Sequence, residues 1–534
     1  MRPPETTQEV SMAEQGFWTH ARRNPDALAL VDPTGRQWTR GELHDECNRI
    51  VHGLRALGLQ YGDTVAVCLP NCAEFYAIYL ACLQAGWYLT PINWHLAGPE
   101  VAYIVQDCGA KAFIGHERVA DVCRTAADEI GFPKEARFAV GDVEGFRPFE
   151  ELVAGQPTSV PEDRAAGTVM NYTSGTTGKP KGVKRALAPR EIEPDLIAQM
   201  MSVVWQMFGI SPEDDNVHIC GSPLYHTAVL VYSGNALHLG HAVVLMDKWD
   251  AEEMLRLIEK YRVTTSHMVP TQFHRLLLLP EDVRKRYDVS STRCMIHAAA
   301  PCPPDVKRRM IEWWGNSIYE YYAATEGGGT LVTPQEWMKY PGTVGRPWPN
   351  AEIRILDDEG NDVPTGERGT VYMKLGETGK FEYKGDAKKT KSNRVEKDGN
   401  VYFTVGDVGY LNEDGYLFLC DRKIDMIISG GANIYPAEIE NVFLSHPKVG
   451  DVAVFGIPHE DWGEEVKAVV EPAPGVEPGP ALTEELLDFC RERLAKFKLP
   501  RSIDYTDEMP RDPNGKLFKR RLRDPYWEGV ERAI

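Results

Sequence analysis

The 534 residues predict an α/β protein in two parts: a large N-terminal domain of mainly parallel sheets flanked by helices, with a small β subdomain, then a small α+β C-terminal domain. Three observations predict it. Over the first third of the chain, short apolar runs alternate with helical stretches, the signature of βα units around a parallel sheet. From residue 342 to 375 the pattern turns to short strands separated by Gly and Asn/Asp turns. The length is more than one hydrophobic core organises, so two or more domains are required.

Residues 16–23 read as a short helix and 27–31 as a short strand. Thr39, with Glu42 three positions on, makes a capping box for a helix running to about Leu57. Residues 63–70 are a buried strand stopped by Pro70, and Asn71 is placed to cap the apolar helix 74–84. A strand at 86–92, a helix at 101–108 and a strand at 112–115 continue the alternation. Residues 218–227 are a strand running into a loop, 249–261 have helical periodicity, and 263–269 are β-prone. The charged stretch 380–400 is expected at the surface. A β run at 416–423 ends in the pair Asp421-Arg422 and marks the junction between domains 1–420 and 421–534. Beyond it, 428–440 reads as strand, glycine turn and a helix with Pro436 near its first turn. Strands at 451–457 and 466–471 and an amphipathic helix at 482–494 complete the small domain.

The formal charge is −19, from 59 basic and 78 acidic side chains. Nucleic-acid or anionic-membrane binding rests on basic surface, so no nucleic-acid partner is expected. The eleven cysteines are scattered without zinc spacing and read as free thiols of a reducing compartment. The first residues lack a basic start and apolar core, and the last carry no targeting signal. No uninterrupted run of about 18 apolar residues appears, so no transmembrane segment is expected. The stretch 228–246 is broken by Asn235, His238 and His241. The expected location is cytoplasmic, and a homodimer is compatible with the chain.

The densest chemistry lies in Tyr172-Thr173-Ser174-Gly175-Thr176-Thr177-Gly178-Lys179-Pro180-Lys181-Gly182-Val183. Glycines and small hydroxyl residues let main-chain N–H groups converge on an anion, and the hydroxyls add donors. Lys179 and Lys181 add point charges for phosphate oxygens. The spacing is not that of the GxxxxGK[ST] loop. A polar surface turn needs one or two special residues rather than ten in a row. The stretch resembles the phosphate-binding signature of the adenylate-forming superfamily, which includes acyl-CoA synthetases, peptide-synthetase adenylation modules and firefly luciferase. That resemblance implies ATP, a carboxylic acid and an acyl-adenylate.

Further segments resemble the family in order. His226, in the loop ending the strand from His218, matches a residue that lines and gates the acyl pocket; a core histidine is the alternative. His297-Ala298-Ala299-Ala300-Pro301 resembles the family's Gly-Ala-Ala-Pro, so Ala299 and Ala300 are expected against adenine and the acyl group, with alanine at 298 where glycine is common. A plain strand exit reads equally well from chemistry alone. Tyr321-Tyr322-Ala323-Ala324-Thr325-Glu326 matches the segment in which Tyr322 stacks on adenine, Thr325 bonds the α-phosphate and Glu326 holds Mg²⁺ through oxygen. Asp407 matches the aspartate that accepts both ribose hydroxyls, with Val405 where the family has threonine. Arg422 can fork onto ribose or phosphate, and Asp421 resembles the family's hinge, which makes the C-terminal domain mobile. The Gly430-Gly431 turn matches one that packs on the pantetheine of coenzyme A. Lys516, after Asn514-Gly515, matches the catalytic lysine; a basic tail is the alternative, since Lys519, Arg520, Arg521 and Arg523 follow.

The resemblance covers about residues 16–516 and implies an AMP-forming acyl-CoA synthetase using ATP, Mg²⁺ and coenzyme A. A medium- or long-chain fatty acid, or another bulky apolar acid such as a sterol side chain, is the expected substrate. An aryl-acid ligase, a luciferase-like oxygenase and a non-catalytic ATP or acyl-ligand binder are the alternatives. A peptide-synthetase module would need a carrier domain.

Overall fold

The computed structural model describes residues 15–173, 180–212, 215–324, 327–349, 351–374, 382–383, 393–511 and 515–528. The chain divides into two compact units, residues 1–267 with 381–387, and residues 268–380 with 388–534.

The first unit is built on parallel sheets, as the alternation predicts. One runs in the order Arg147–Pro148, Arg137–Val140, Ala110–His116, Thr64–Val67, Tyr88–Pro91, Thr168–Val169, parallel throughout. In another, Leu28–Val31, Ala242–Leu245, Val217–Cys220 and Thr265–Met268 are parallel neighbours, with Gln37–Thr39 as an antiparallel edge. Thr39 and Glu42 form the expected reciprocal cap of helix Arg40–Ala56. Helix Ala73–Ala85 is buried on nearly every face, which is why its sequence carries almost no polar stripe.

Asn71 does not cap that helix; Cys72 occupies the cap position and offers no side-chain bond. The Asn71 amide instead donates to the carbonyls of Ser222 and Met246 and accepts from the Leu224 N–H. It thereby fixes the loops leaving two strands of the second sheet. The stretch 228–246 folds as the buried helix Thr227–His238 and strand Ala242–Leu245. Gly234 lets that helix approach Tyr79, since a Cβ there would lie 2.7 Å from the ring. Among the described residues no helix is long and apolar enough to cross a membrane.

The second unit opens with Cys294–His297 parallel to Ile318–Ala324, which turns back antiparallel as Gly327–Val332. The small β subdomain is an antiparallel sheet of Ile353–Leu356, Gly369–Lys374, Arg394–Lys397, Asn400–Phe403, Asp407–Leu411 and Leu417–Arg422. The last part is α+β. Val449–His459 and Gly463–Pro472 form a long hairpin, flanked by Ile427–Ser429 and Ser502–Tyr505. Helices Pro436–Leu444 and Pro480–Arg491 bury Ile439, Phe443, Leu482 and Leu486 against Val452, Val454 and Val470.

Burial, the largest cause in each case, pushes His20, His44, His238 and His267 down to about 4 and His218 to about 3. The unfolded chain binds protons at these sites below about pH 6.5, whereas the folded chain refuses them. Stability is therefore full above that pH and falls as pH drops towards the folded values, by up to about 1.4 kcal/mol per pH unit for each histidine. A melting temperature flat above about pH 7 and falling steadily down to about pH 5 is expected by calorimetry. Ala299 holds a left-handed backbone at φ 72°. Ala299→Gly should be neutral or stabilise by about 0.5 kcal/mol, and Ala299→Val should cost about 2 kcal/mol in denaturant unfolding.

Candidate active site

In the second unit, the β subdomain and the neighbouring strand Ile318–Ala324 bring three of the expected nucleotide-binding side chains together. Antiparallel pairing sets Asp407 opposite Arg422 and Val408 opposite Asp421. Tyr322, near the end of Ile318–Ala324, packs against the core of Ile353, Val371, Met373 and Phe403. Its phenol donates to Asp407 Oδ2 at 2.6 Å, and Arg422 Nε lies 3.4 Å from Asp407 Oδ1. The carboxylate is nearly covered, while Arg422 is half-exposed. Tyr321, the adjacent strand position, is buried on the opposite face of the pleat. Thr325 and Glu326 lie outside the described residues.

A buried ionic cluster, which sequence reasoning missed, sits on Cys294–His297 and Ile318–Ala324. His297 and Glu320 are register partners. Lys307, on helix Pro304–Trp314, places Nζ 2.5 Å from Glu320 Oε2, and His297 Nε2 lies 3.5 Å from the same oxygen. Burial pulls the Lys307 ammonium down and pushes the Glu320 carboxyl up, and their mutual attraction opposes both shifts. The signal was available: Lys307 falls among Val306, Met310, Ile311 and Trp314 on the buried helix face. The cluster ties together the strands that lead into the 298–300 and 321–322 segments. Ala298 is buried, Ala299 is exposed at the left-handed turn, and Ala300 is partly exposed.

Lys516 sits in a loop closed by an antiparallel bridge between Arg511 and Leu517; residues 512–514 lie outside the described residues. Gly515 adopts φ 78°, and a Cβ there would come within 2.7 Å of Thr271 Oγ1. The tail that follows is anchored: Lys519 Nζ meets Glu440 Oε1 at 2.8 Å, and Arg523 is buried. Asp421 accepts from the Ala437 N–H at 2.9 Å and from Arg422 N at 2.7 Å. It therefore caps the first turn of Pro436–Leu444, whose own cap residue Tyr435 supplies no side-chain bond. Gly430 and Gly431, at φ 56° and 80°, form the two-residue turn joining Ile427–Ser429 to Ala432–Ile434. The exposed Trp462 accepts through its carbonyl from Gly430 N at 2.9 Å.

In the first unit, Thr173 and Lys181 are register partners of the hairpin Asn171–Thr173 and Lys181–Lys184. Ser174, Gly175, Thr176, Thr177, Gly178 and Lys179 lie outside the described residues. Tyr172 anchors the first arm by donating to Asp107 Oδ2 at 2.5 Å. His226 is the residue before helix Thr227–His238, with its ring 4.4 Å from that of Tyr225.

Residues 17–378 match the AMP-binding enzyme family and residues 438–516 the AMP-binding enzyme C-terminal domain. The fatty acid–[acyl-carrier-protein] ligase ScoC of Streptomyces coeruleorubidus is 33% identical, covering 96% of each chain. The long-chain-fatty-acid–CoA ligase FadD13 of Mycobacterium tuberculosis is 31% identical over 94% of this chain and 96% of the relative. A feruloyl-CoA synthase of Amycolatopsis is 32% identical over 95% and 98%. ATP-bound MatB from Rhodopseudomonas palustris superposes with a TM-score of 0.78 at 29% identity, covering 97% of this chain and 100% of that one. The chain belongs to the AMP-binding enzymes of the adenylate-forming superfamily, and is an acid–thiol ligase of the AMP-forming type.

Proposed function

We propose that this ligase activates an apolar carboxylic acid with ATP and passes the acyl group to the thiol of coenzyme A. The observation that carries this reading is the Tyr322–Asp407–Arg422 cluster. Among the described residues each Asp407 oxygen has one side-chain neighbour, Tyr322 or Arg422, and a further lone pair, so the carboxylate can accept two ribose hydroxyls while the Tyr322 ring flanks the base.

In the first step a carboxylate oxygen attacks the α-phosphorus, the bond to the bridging oxygen breaks, and pyrophosphate leaves. Both reactants are anions, so placed cations and dipoles matter more than a protein nucleophile. Lys516 contacts the carboxylate and an α-phosphate oxygen, and the loop around Thr173 and Lys181 holds the outer phosphates. Glu326 is the magnesium ligand expected from the motif, outside the described residues. That ion, when bound, offsets phosphate charge. Thr325 bonds the α-phosphate, and His226, Ala299 and Ala300 border the acid and the adenine.

In the second step the coenzyme A thiolate attacks the carbonyl carbon and AMP departs. We place the domain boundary at Asp421. Rotation there withdraws Lys516 and brings the Gly430-Gly431 turn against pantetheine.

The acid is of medium or long chain, or similarly bulky. The Tyr322-Ala323-Ala324-Thr325-Glu326-Gly327 wording is nearer to fatty-acyl relatives, and two of the relatives above act on fatty acids. The similarity to a feruloyl-CoA synthase supports an aryl acid as the second reading.

Pyrophosphate release across a panel of acids should favour apolar chains; preferred turnover of short or hydroxylated aromatic acids would reverse the choice. Lys516→Ala should slow adenylation about 100-fold while sparing thioester formation from supplied acyl-adenylate. Asp421→Pro should do the opposite, read in the same two half-reactions.

A further inference from the structure

We propose that Arg511 is a positioning residue for Lys516, and that its three-point grip sets where the lysine ammonium is presented. The proposal rests on the assignment of Lys516 to adenylation. Arg511 Nε and Nη2 meet Asp451 Oδ2 and Oδ1 at 2.5 and 2.7 Å. The remaining nitrogen, Nη1, donates to the carbonyl of Gly515 at 2.6 Å, the residue directly before Lys516. Both ionic side chains are largely buried, at 16% and 9% exposure.

Asp451 is itself fixed. It lies on the long strand Val449–His459, paired with Glu471, and its Oδ1 also accepts from Val452 N at 2.8 Å. The loop stands on the same strands. Met509 N donates to Glu471 Oε2 at 2.7 Å, and Met509 and Leu517 pack on Ala453, Phe455 and Val469. Phe518 N returns to the Pro510 carbonyl at 2.8 Å. The hairpin sheet therefore holds the base of the loop and, through Leu517, the residue after Lys516, while Arg511 is the contact among these that reaches the residue before it.

Only a guanidinium can satisfy this geometry. It spans a carboxylate with two nitrogens and keeps a third for a carbonyl, whereas an ammonium offers a single centre. Asp451, Glu440 and Glu471 surround the cation with negative charge. Without Arg511 the Gly515 carbonyl loses its partner and the Lys516 backbone gains freedom. An error of about 1 Å in a reacting group costs up to about 100-fold in rate.

The test uses the full chain and compares Arg511→Met, Arg511→Lys, Asp451→Asn and Lys516→Ala. Acid-dependent ATP–pyrophosphate exchange, thioester formation from supplied acyl-adenylate and the melting temperature are measured for each. Arg511→Met should lose between about 10- and 100-fold in exchange kcat, with the KM for ATP and thioester formation nearly unchanged. Arg511→Lys should recover the melting temperature more than the exchange rate. Where Arg511→Met fails to fold, Asp451→Asn should show the same selective loss. Equal losses in both half-reactions would make Arg511 a fold residue only and overturn the proposal. So would unchanged exchange in Arg511→Met while Lys516→Ala abolishes it. Intact exchange in Lys516→Ala would remove the Lys516 assignment and this proposal with it.

Discussion

The repulsion between a carboxylate and a triphosphate constrains everything in this protein. Two unit charges about 4 Å apart repel by about 4 kcal/mol at an effective dielectric of about 20. A chain of formal charge −19 has to overcome that repulsion locally, against its own net charge. In the proposed mechanism it does so with cations whose places are fixed beforehand. Arg422 lies beside Asp407, and the loop of Lys516 is tied down by Arg511 and Gly515. A fixed cation needs no reorganisation when charge develops, which is the source of its catalytic value.

The same reasoning explains why so much charge is buried in the second unit. Lys307–Glu320, Lys519–Glu440 and Arg511–Asp451 are all largely covered ion pairs. Burying an ion pair costs desolvation that the attraction repays only with good geometry, so such pairs are poor sources of stability. Their effect here is on placement. Lys307–Glu320 fastens helix Pro304–Trp314 to the strand that leads into Tyr321 and Tyr322, and Lys519–Glu440 ties the segment after Lys516 to the helix that Asp421 caps. Asp421 is thus a cap as well as a hinge candidate, so the proposed rotation there would act directly on the first turn of Pro436–Leu444.

The family fixes the reaction type more tightly than the acid. Relatives of similar identity join fatty or aryl acids to different thiols, while the roles proposed for the phosphate loop, Asp407 and Lys516 concern only the nucleotide and the carboxylate, which are the same for every acid. In the proposed reading, chain selection falls to the walls around His226 and Ala298–Ala300, where this sequence carries Ala298 in place of the common glycine.

By itself, the sequence determined the class of fold, the order of the motifs and the elements stabilised within a few residues. The Thr39–Glu42 cap and the Gly430-Gly431 turn are of that kind, because both partners are neighbours in the chain. Six of the described helices begin with proline, at Pro194, Pro270, Pro304, Pro334, Pro436 and Pro480, a residue whose fixed backbone angle suits the first turn, and the sequence reading used that signal only at Pro436. Thr227–His238 was not readable, since Asn235 and His238 break its apolar run without making an amphipathic stripe. Tertiary structure alone decided that Asn71 ties loops more than 150 residues away, that Glu320 finds Lys307, and that Arg511 reaches Asp451 across 60 residues. Each of these is a polar group whose burial is tolerable only with a partner, and that partner is supplied by packing rather than by any periodicity along the chain.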